Sequence, residues 1–158
     1  MLFFELKRAL QSIGLKGFSV DFSARYRIRN PDPEPRTVGV QFSFPSGQAI
    51  YDNFQFRVNQ QRAAQADDLS QGLQTSIPLP AGGEAVIEIG YSSRGLDTWS
   101  YAFTGKGVAE VTDFALTMKT DFHAVDFPAG TISPGDKREQ GPGWLLTWRF
   151  GTLVTGQK

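Results

Sequence analysis

His123 is the chain's one histidine, and it limits what acid–base or metal chemistry the sequence can perform. A multi-histidine metal site would need imidazoles from another chain, and a place between Phe122 and Ala124 reads as a strand-end surface position. Carboxylates occur at Asp67, Asp68, Asp113, Asp121, Asp126 and Asp136. Glycoside hydrolysis would need two of them facing across a cleft at about 5–10 Å, whereas Asp113 and Asp121 on one straight strand would stand about 27 Å apart. Capping turns and pairing with arginine is their default work. The Asp-x-Asp-x-Asp-Gly order of a calcium loop does not occur. There is no cysteine, hence no disulfide, thiolate or cysteine-held metal. Gly14, Gly17, Gly82, Gly83, Gly105 and Gly107 read as turn glycines, and none belongs to a run that follows a strand and opens a helix to cradle phosphate. No catalytic residue, metal site or cofactor is read from these residues.

Groups that bind without reacting are better represented. Arg25, Arg27 and Arg29 alternate along one stretch and form a basic stripe, suited to an acidic partner or to a solvated face that resists edge pairing. Trp99, Tyr101, Trp144 and Trp148 raise a sugar-stacking platform as an alternative, but Trp99 and Tyr101 alternate in phase with Phe103 and so point inward. Trp144, beside Gly143 at a loop end, is the ring expected to be exposed. In Arg94-Gly-Leu-Asp97, Asp97 can satisfy turn amides while Arg94 reaches a neighbouring carboxylate, pinning the turn. Arg94, Asp97, Asp126 and Trp144 are the candidate contact residues, all expected on loops held by a rigid frame.

The elements that must position them are strands. Phe18, Val20, Phe22, Ala24, Tyr26 and Ile28 alternate strictly with polar residues, the mark of a half-buried strand. Pro31, Pro33 and Pro35 end it by removing ladder donors. Val38, Val40, Phe42 and Phe44 alternate next, and the two runs are expected to pair around the proline loop. Phe54, Phe56 and Val58 lead to a tight turn at Asn59-Gln60-Gln61, and residues 62–72 read as an irregular or helical patch. Leu73 to Leu79 and Ala85 to Tyr91, joined by Pro80-Ala-Gly-Gly, have the form of a hairpin. Phe114, Leu116 and Met118, then Leu146, Trp148 and Phe150, complete the set around a long 128–143 surface loop. The first dozen residues fit a helix by Leu6, Leu10 and Ile13, or an extended strand, which is preferred. The expectation is one all-β domain over residues 1–158, an antiparallel β-sandwich of about eight or nine strands with almost no helix.

Size and charge narrow the partners. The 158 residues suffice for one core, and sixteen basic residues cancel sixteen acidic ones, so nucleic acid is not expected. No apolar run reaches the roughly 20 residues of a membrane helix, and Met1-Leu-Phe-Phe, followed at once by Glu5, Lys7 and Arg8, reads as too short for a secretion signal. Several segments nevertheless resemble the extracytoplasmic domain of CreD-type bacterial multi-pass inner-membrane proteins. They are Lys16-Gly17-Phe18 leading to Phe22, Tyr26 and Asn30, then Tyr91-x-Ser-Arg-Gly-Leu-Asp-x-Trp-x-Tyr101, then Thr120-Asp121-Phe122 with Asp126-Phe127-Pro128, and the Trp148 strand. The resemblance is strongest from Glu84 to Trp148. It implies a non-enzymatic domain cut from a longer membrane protein, on the periplasmic side of the inner membrane. Its implied partners are an envelope protein or the membrane part of the same chain, with a small-molecule or glycan ligand. A sandwich-type carbohydrate-binding module is the alternative reading.

Overall fold

The computed structural model describes residues 2–8, 17–44, 49–63, 72–96, 98–99 and 110–154. Among them the chain is all-β. Strands run in the order β1 (Leu2–Arg8), β2 (Phe18–Arg29), β3 (Arg36–Phe42), β4 (Ile50–Val58), the two-residue β5 (Gln61–Arg62), β6 (Leu73–Leu79), β7 (Glu84–Leu96), β8 (Glu110–Thr120), β9 (Asp136–Gln140) and β10 (Gly143–Val154). Eight form a large sheet in the order β5-β4-β7-β2-β1-β8-β10-β9, and β3 pairs with β6 in a small one. Pairing is antiparallel except between β1 and β8, which run parallel. The ambiguous first segment is thus a strand, inserted at the middle of the large sheet. β1 begins level with Leu116 of β8 and Trp148 of β10, whereas β10 runs on antiparallel to β8 and finishes level with Glu110.

Alternation sets which face each strand buries. Val20, Phe22 and Ala24 of β2 and Ala85, Ile87, Ile89 and Tyr91 of β7 turn inward, where they meet Leu73, Ile77 and Leu79 of β6. The rest of the inner face, on β8 and β10, is covered by the 121–135 segment. There Phe127 packs edge-on against Trp148 at 5.9 Å, and the Trp148 ring N–H donates to the Ile132 carbonyl at 2.7 Å. At the tip of β10 the Thr120 hydroxyl donates to the Phe122 carbonyl and accepts the Trp144 backbone N–H. Gly143 is required at that point, since a Cβ would strike the Thr120 carbonyl.

Three sequence expectations about pairing are corrected. β2 and β3 do not pair: β2 lies between β1 and β7, while β3 belongs to the other sheet. β6 and β7 likewise do not form a hairpin, because Pro80–Gly83 carries the chain from the small sheet back to the large one. Alternation says which face is apolar but not which neighbour shares the ladder, and facing layers satisfy it as well as adjacent strands do. Third, residues 136–140, expected in a surface loop, form the edge strand β9. All five residues are exposed, so no alternation announces it, and their charges suit an open edge. The Asn59-Gln60 turn does form, with both residues at positive φ (50° and 67°), the geometry of a primed hairpin turn. The patch read at 62–72 falls mainly outside the described residues.

The two crossings between sheets are tied by one side chain. Asn30, 3% exposed, donates through Nδ2 to the carbonyls of Glu34 (2.9 Å) and Pro80 (3.0 Å) and accepts the Asp32 N–H (3.1 Å). Its backbone N–H donates to the Gly83 carbonyl at 2.9 Å. Prolines at 31, 33 and 35 cannot supply donors, so the amide does. Asn30→Ala is expected to destabilise the domain by about 1–3 kcal/mol in urea unfolding, since it removes three part-buried hydrogen bonds at once. A loss below about 0.5 kcal/mol, the scale of an ordinary surface change, would show that the crossings hold without it.

Candidate functional site

The outward face of β2, β7 and β4 gathers polar side chains in rows, because three adjacent strands in register point alternate residues the same way. One row runs Gln55–Gly90–Ser23. The next toward the β2 C-terminus runs Arg62–Arg57–Glu88–Arg25 across β5, β4, β7 and β2. On the other side lie Asp52, Ser92 and Asp21, with the Ser92 hydroxyl donating to Asp21 at 2.7 Å. Together these leave a trough of about 420 Å³ lined by Ser23, Arg25, Gln55, Arg57, Glu88 and Gly90. A Cβ at Gly90 would meet only an ordinary contact at 3.5 Å, so packing does not demand glycine there; its effect is a bare floor. Arg25 approaches Glu88 at 3.9 Å and Arg29 approaches Glu84 at 4.0 Å. The Arg25–Arg27–Arg29 stripe is thereby partly balanced by acids from β7.

The four residues expected to make contacts do not converge. Arg94 lies on this outward face and forms a 2.6 Å ion pair with Asp52 of β4, the neighbouring carboxylate it needed. Both partners are exposed, so the bond orients more than it stabilises. Gly95 (φ 82°) sits in a bulge where β7 slips against β2, and Asn53 (φ 55°) in another where β4 slips against β7. Asp97 lies outside the described residues. Asp126 is exposed on the segment crossing the opposite face. Trp144 is on β10, four strand steps from Arg94 or about 19 Å, and faces inward. It is half-buried rather than open: its ring N–H donates to the His123 carbonyl at 3.0 Å and Lys137 Nζ stands 4.0 Å from the ring centroid. His123 is exposed, as expected, with its ring edge-on to Trp144 at 5.1 Å. Among the described residues no three His, Asp or Glu side chains group to hold a metal. The trough residues Gln55, Arg57, Glu88 and Gly90 escape a sequence reading because two strands far apart in the chain, β4 and β7, supply them beside β2. Arg57 and Arg62, placed symmetrically about the Asn59-Gln60 turn, are the one pairing that turn chemistry makes visible.

The inner face at the Arg94 end is aromatic. Phe22 and Tyr91 stack at 5.0 Å, Phe44 lies 4.3 Å from Tyr51 and 5.6 Å from Tyr91, and Trp99 is 6.0 Å from Phe22. Trp99 therefore points inward, as its phase predicts, and its ring N–H donates to the Tyr91 hydroxyl at 3.1 Å. Tyr101 and Phe103 lie outside the described residues. Burial pushes the Tyr91 phenol well above its ordinary range, and the Trp99 hydrogen bond only partly offsets this. These rings serve as core.

No family model matches the sequence, and no curated protein matches it. Among solved structures the chain is similar to the crystal structure of a proposed nutrient binding protein from Legionella pneumophila, with a TM-score of 0.62 at 15% identity. The match covers 97% of this chain and 64% of that one, so the chain spans less than two thirds of its neighbour's length. At that identity the likeness is one of fold.

The Tyr91 phenol provides a test of this packing. Unfolded, it ionises near its ordinary value of 10; folded, it keeps its proton to higher pH. The folded state then binds more protons, so the stabilisation is whole below pH 10 and is lost as pH rises above it. The melting temperature should fall on going from about pH 9 to about pH 11, and fall less steeply in Tyr91→Phe, which forfeits about 1 kcal/mol at neutral pH with the Trp99 bond. Equal slopes would remove Tyr91 as the cause.

Proposed function

We propose that this chain is a ligand-binding β-sandwich domain of a bacterial envelope protein, acting by contact and without catalysis. The outward trough is the observation that carries this reading. It joins a bare floor at Gly90, hydrogen-bonding groups at Ser23 and Gln55, and charges of both signs at Arg25, Arg57 and Glu88. Small-molecule sites combine a concave surface with a few placed polar groups. The likeness of fold to a proposed nutrient binding protein supports a small-molecule ligand, and the trough's charged and hydrogen-bonding groups favour a polar one. A glycan platform draws less support, because among the described residues the one exposed large hydrophobic is Ile50, and Trp99, Trp144 and Trp148 are occupied in packing. The ligand screen therefore belongs to polar metabolites before oligosaccharides.

The envelope setting rests on the CreD-type resemblance and on one feature of topology. The start of β1 and the end of β10 point the same way along the large sheet, so segments joined to them would leave toward one side. A domain tethered beside a membrane needs that geometry, with its partner an envelope protein or the membrane part of the same chain. Among the described residues no helix is long and apolar enough to cross a membrane. Hydrophobic helices encoded on both sides of residues 1–158 are the expected result of reading the flanking coding sequence; a gene encoding only this soluble segment would refute the tethered arrangement. For the binding role, a thermal-shift screen of polar metabolites should find ligands whose stabilisation drops in Gly90→Leu, which fills the trough. Ligands indifferent to Gly90→Leu would move the site elsewhere.

A further inference from the structure

We propose that the β4–β5 hairpin is an oxyanion site, in which Arg57 and Arg62 together grip a carboxylate or phosphate group of a small organic ligand. The proposal rests on the binding role proposed above and names the chemical class that the ligand must carry.

Arg57 and Arg62 are directly opposite each other across the hairpin and both are exposed. Like charges in that position repel, at a cost of some tenths of a kcal/mol. Neither guanidinium makes an ion pair or hydrogen bond with another described residue. Glu88, in register with Arg57 on the other side, instead approaches Arg25. An anion shared by the two guanidiniums removes the repulsion and uses their planar donor forks, which match carboxylate and phosphate oxygens.

The surroundings suit such a ligand. A second hollow of about 610 Å³ lies beside the trough, lined by Arg57, Arg62 and Gln60 together with the β4 stretch 53–56, which includes Phe54 and Phe56. No acid lines it among the described residues; Glu88, in register with Arg57, lies on the β7 side instead. The two hollows share Gln55 and Arg57, so a ligand anchored by its anion in the second can extend polar groups toward Ser23 and Glu88 in the first.

The hairpin is also held in advance. The Asn59 backbone N–H donates to the Val86 carbonyl at 2.8 Å, and the Asn59 side-chain oxygen accepts the Val86 N–H at 2.9 Å. Two bonds thus fasten the turn to β7 and fix the separation of the guanidinium stems. The bulge at Asn53 adds a residue to β4 between Asp52 and Gln55, beside the hollow. Pre-organised donors lose less freedom when a ligand arrives.

The test is an amide NMR titration of the domain with inorganic phosphate and with citrate at low salt. Saturable shifts confined to Asn53–Arg62 are expected, with affinity reduced about tenfold or more in the double variant Arg57→Gln, Arg62→Gln, as loss of charged hydrogen bonds implies. Arg29→Gln should leave it unchanged. Both target side chains are exposed, so an unchanged melting temperature will show that the double variant folds. Shifts without saturation, equal affinity in the double variant, or binding to phosphatidylglycerol vesicles in place of the soluble anions would each overturn the proposal. A neutral metabolite that binds the trough with no dependence on Arg57 and Arg62 would overturn it too, while leaving the binding role standing.

Discussion

The amide of Asn30 is the contact on which the layered architecture turns. A sandwich needs its chain to leave one sheet and enter the other, and a crossing segment cannot satisfy its backbone in either ladder. Here the way out passes through Pro31, Pro33 and Pro35, which carry no donors, and the way back through Pro80–Gly83. Asn30 links the two, offering two donors and an acceptor where the prolines offer none. The buried amide thus converts two weak points of the chain into one braced corner, and the small sheet is held over the inner face of the large one.

That placement divides the work between the two faces. The inner face is consumed by packing: Phe22, Tyr91 and Trp99 lie against the small-sheet side, while Trp148 lies under the 121–135 segment. Even the polar ends of its aromatics are engaged, Trp99 on the Tyr91 hydroxyl and Trp148 on the Ile132 carbonyl. The outer face of β2, β7 and β4 has no covering layer among the described residues, and it collects the arginines, glutamates and amides. The inner face being occupied, the open concave surface lies on the outer face, where bulges at Asn53 and Gly95 vary its shape.

Local sequence is enough where a residue's role depends on its immediate neighbours. The strands around Phe18–Ile28 and Ala85–Tyr91, the primed turn at Asn59-Gln60 and the inward phase of Trp99 all follow from spacing of two or from turn chemistry. Strand pairing did not follow, since a proline loop can return a strand beside its predecessor or deliver it to the opposite layer with the same alternation. Nor could β9 be read, because an edge strand exposed along its whole length carries no apolar period. Arg94 and Trp144, expected on loops, lie on strands β7 and β10, and with Asp126 they are scattered over two faces, because each carries its binding chemistry singly and no spacing joins them.

The sequence by itself determined the all-β class, the apolar face of each long strand and the lack of cysteine chemistry, since these are properties of composition and of a two-residue period. Only the tertiary structure decided that β2 neighbours β7 instead of β3, and so that Gln55, Gly90 and Ser23 form one row and Arg62, Arg57, Glu88 and Arg25 the next. The reason is physical. A strand's pattern records how it meets the core, whereas a binding face is made by the order of strands, which depends on long-range pairing that no local spacing encodes.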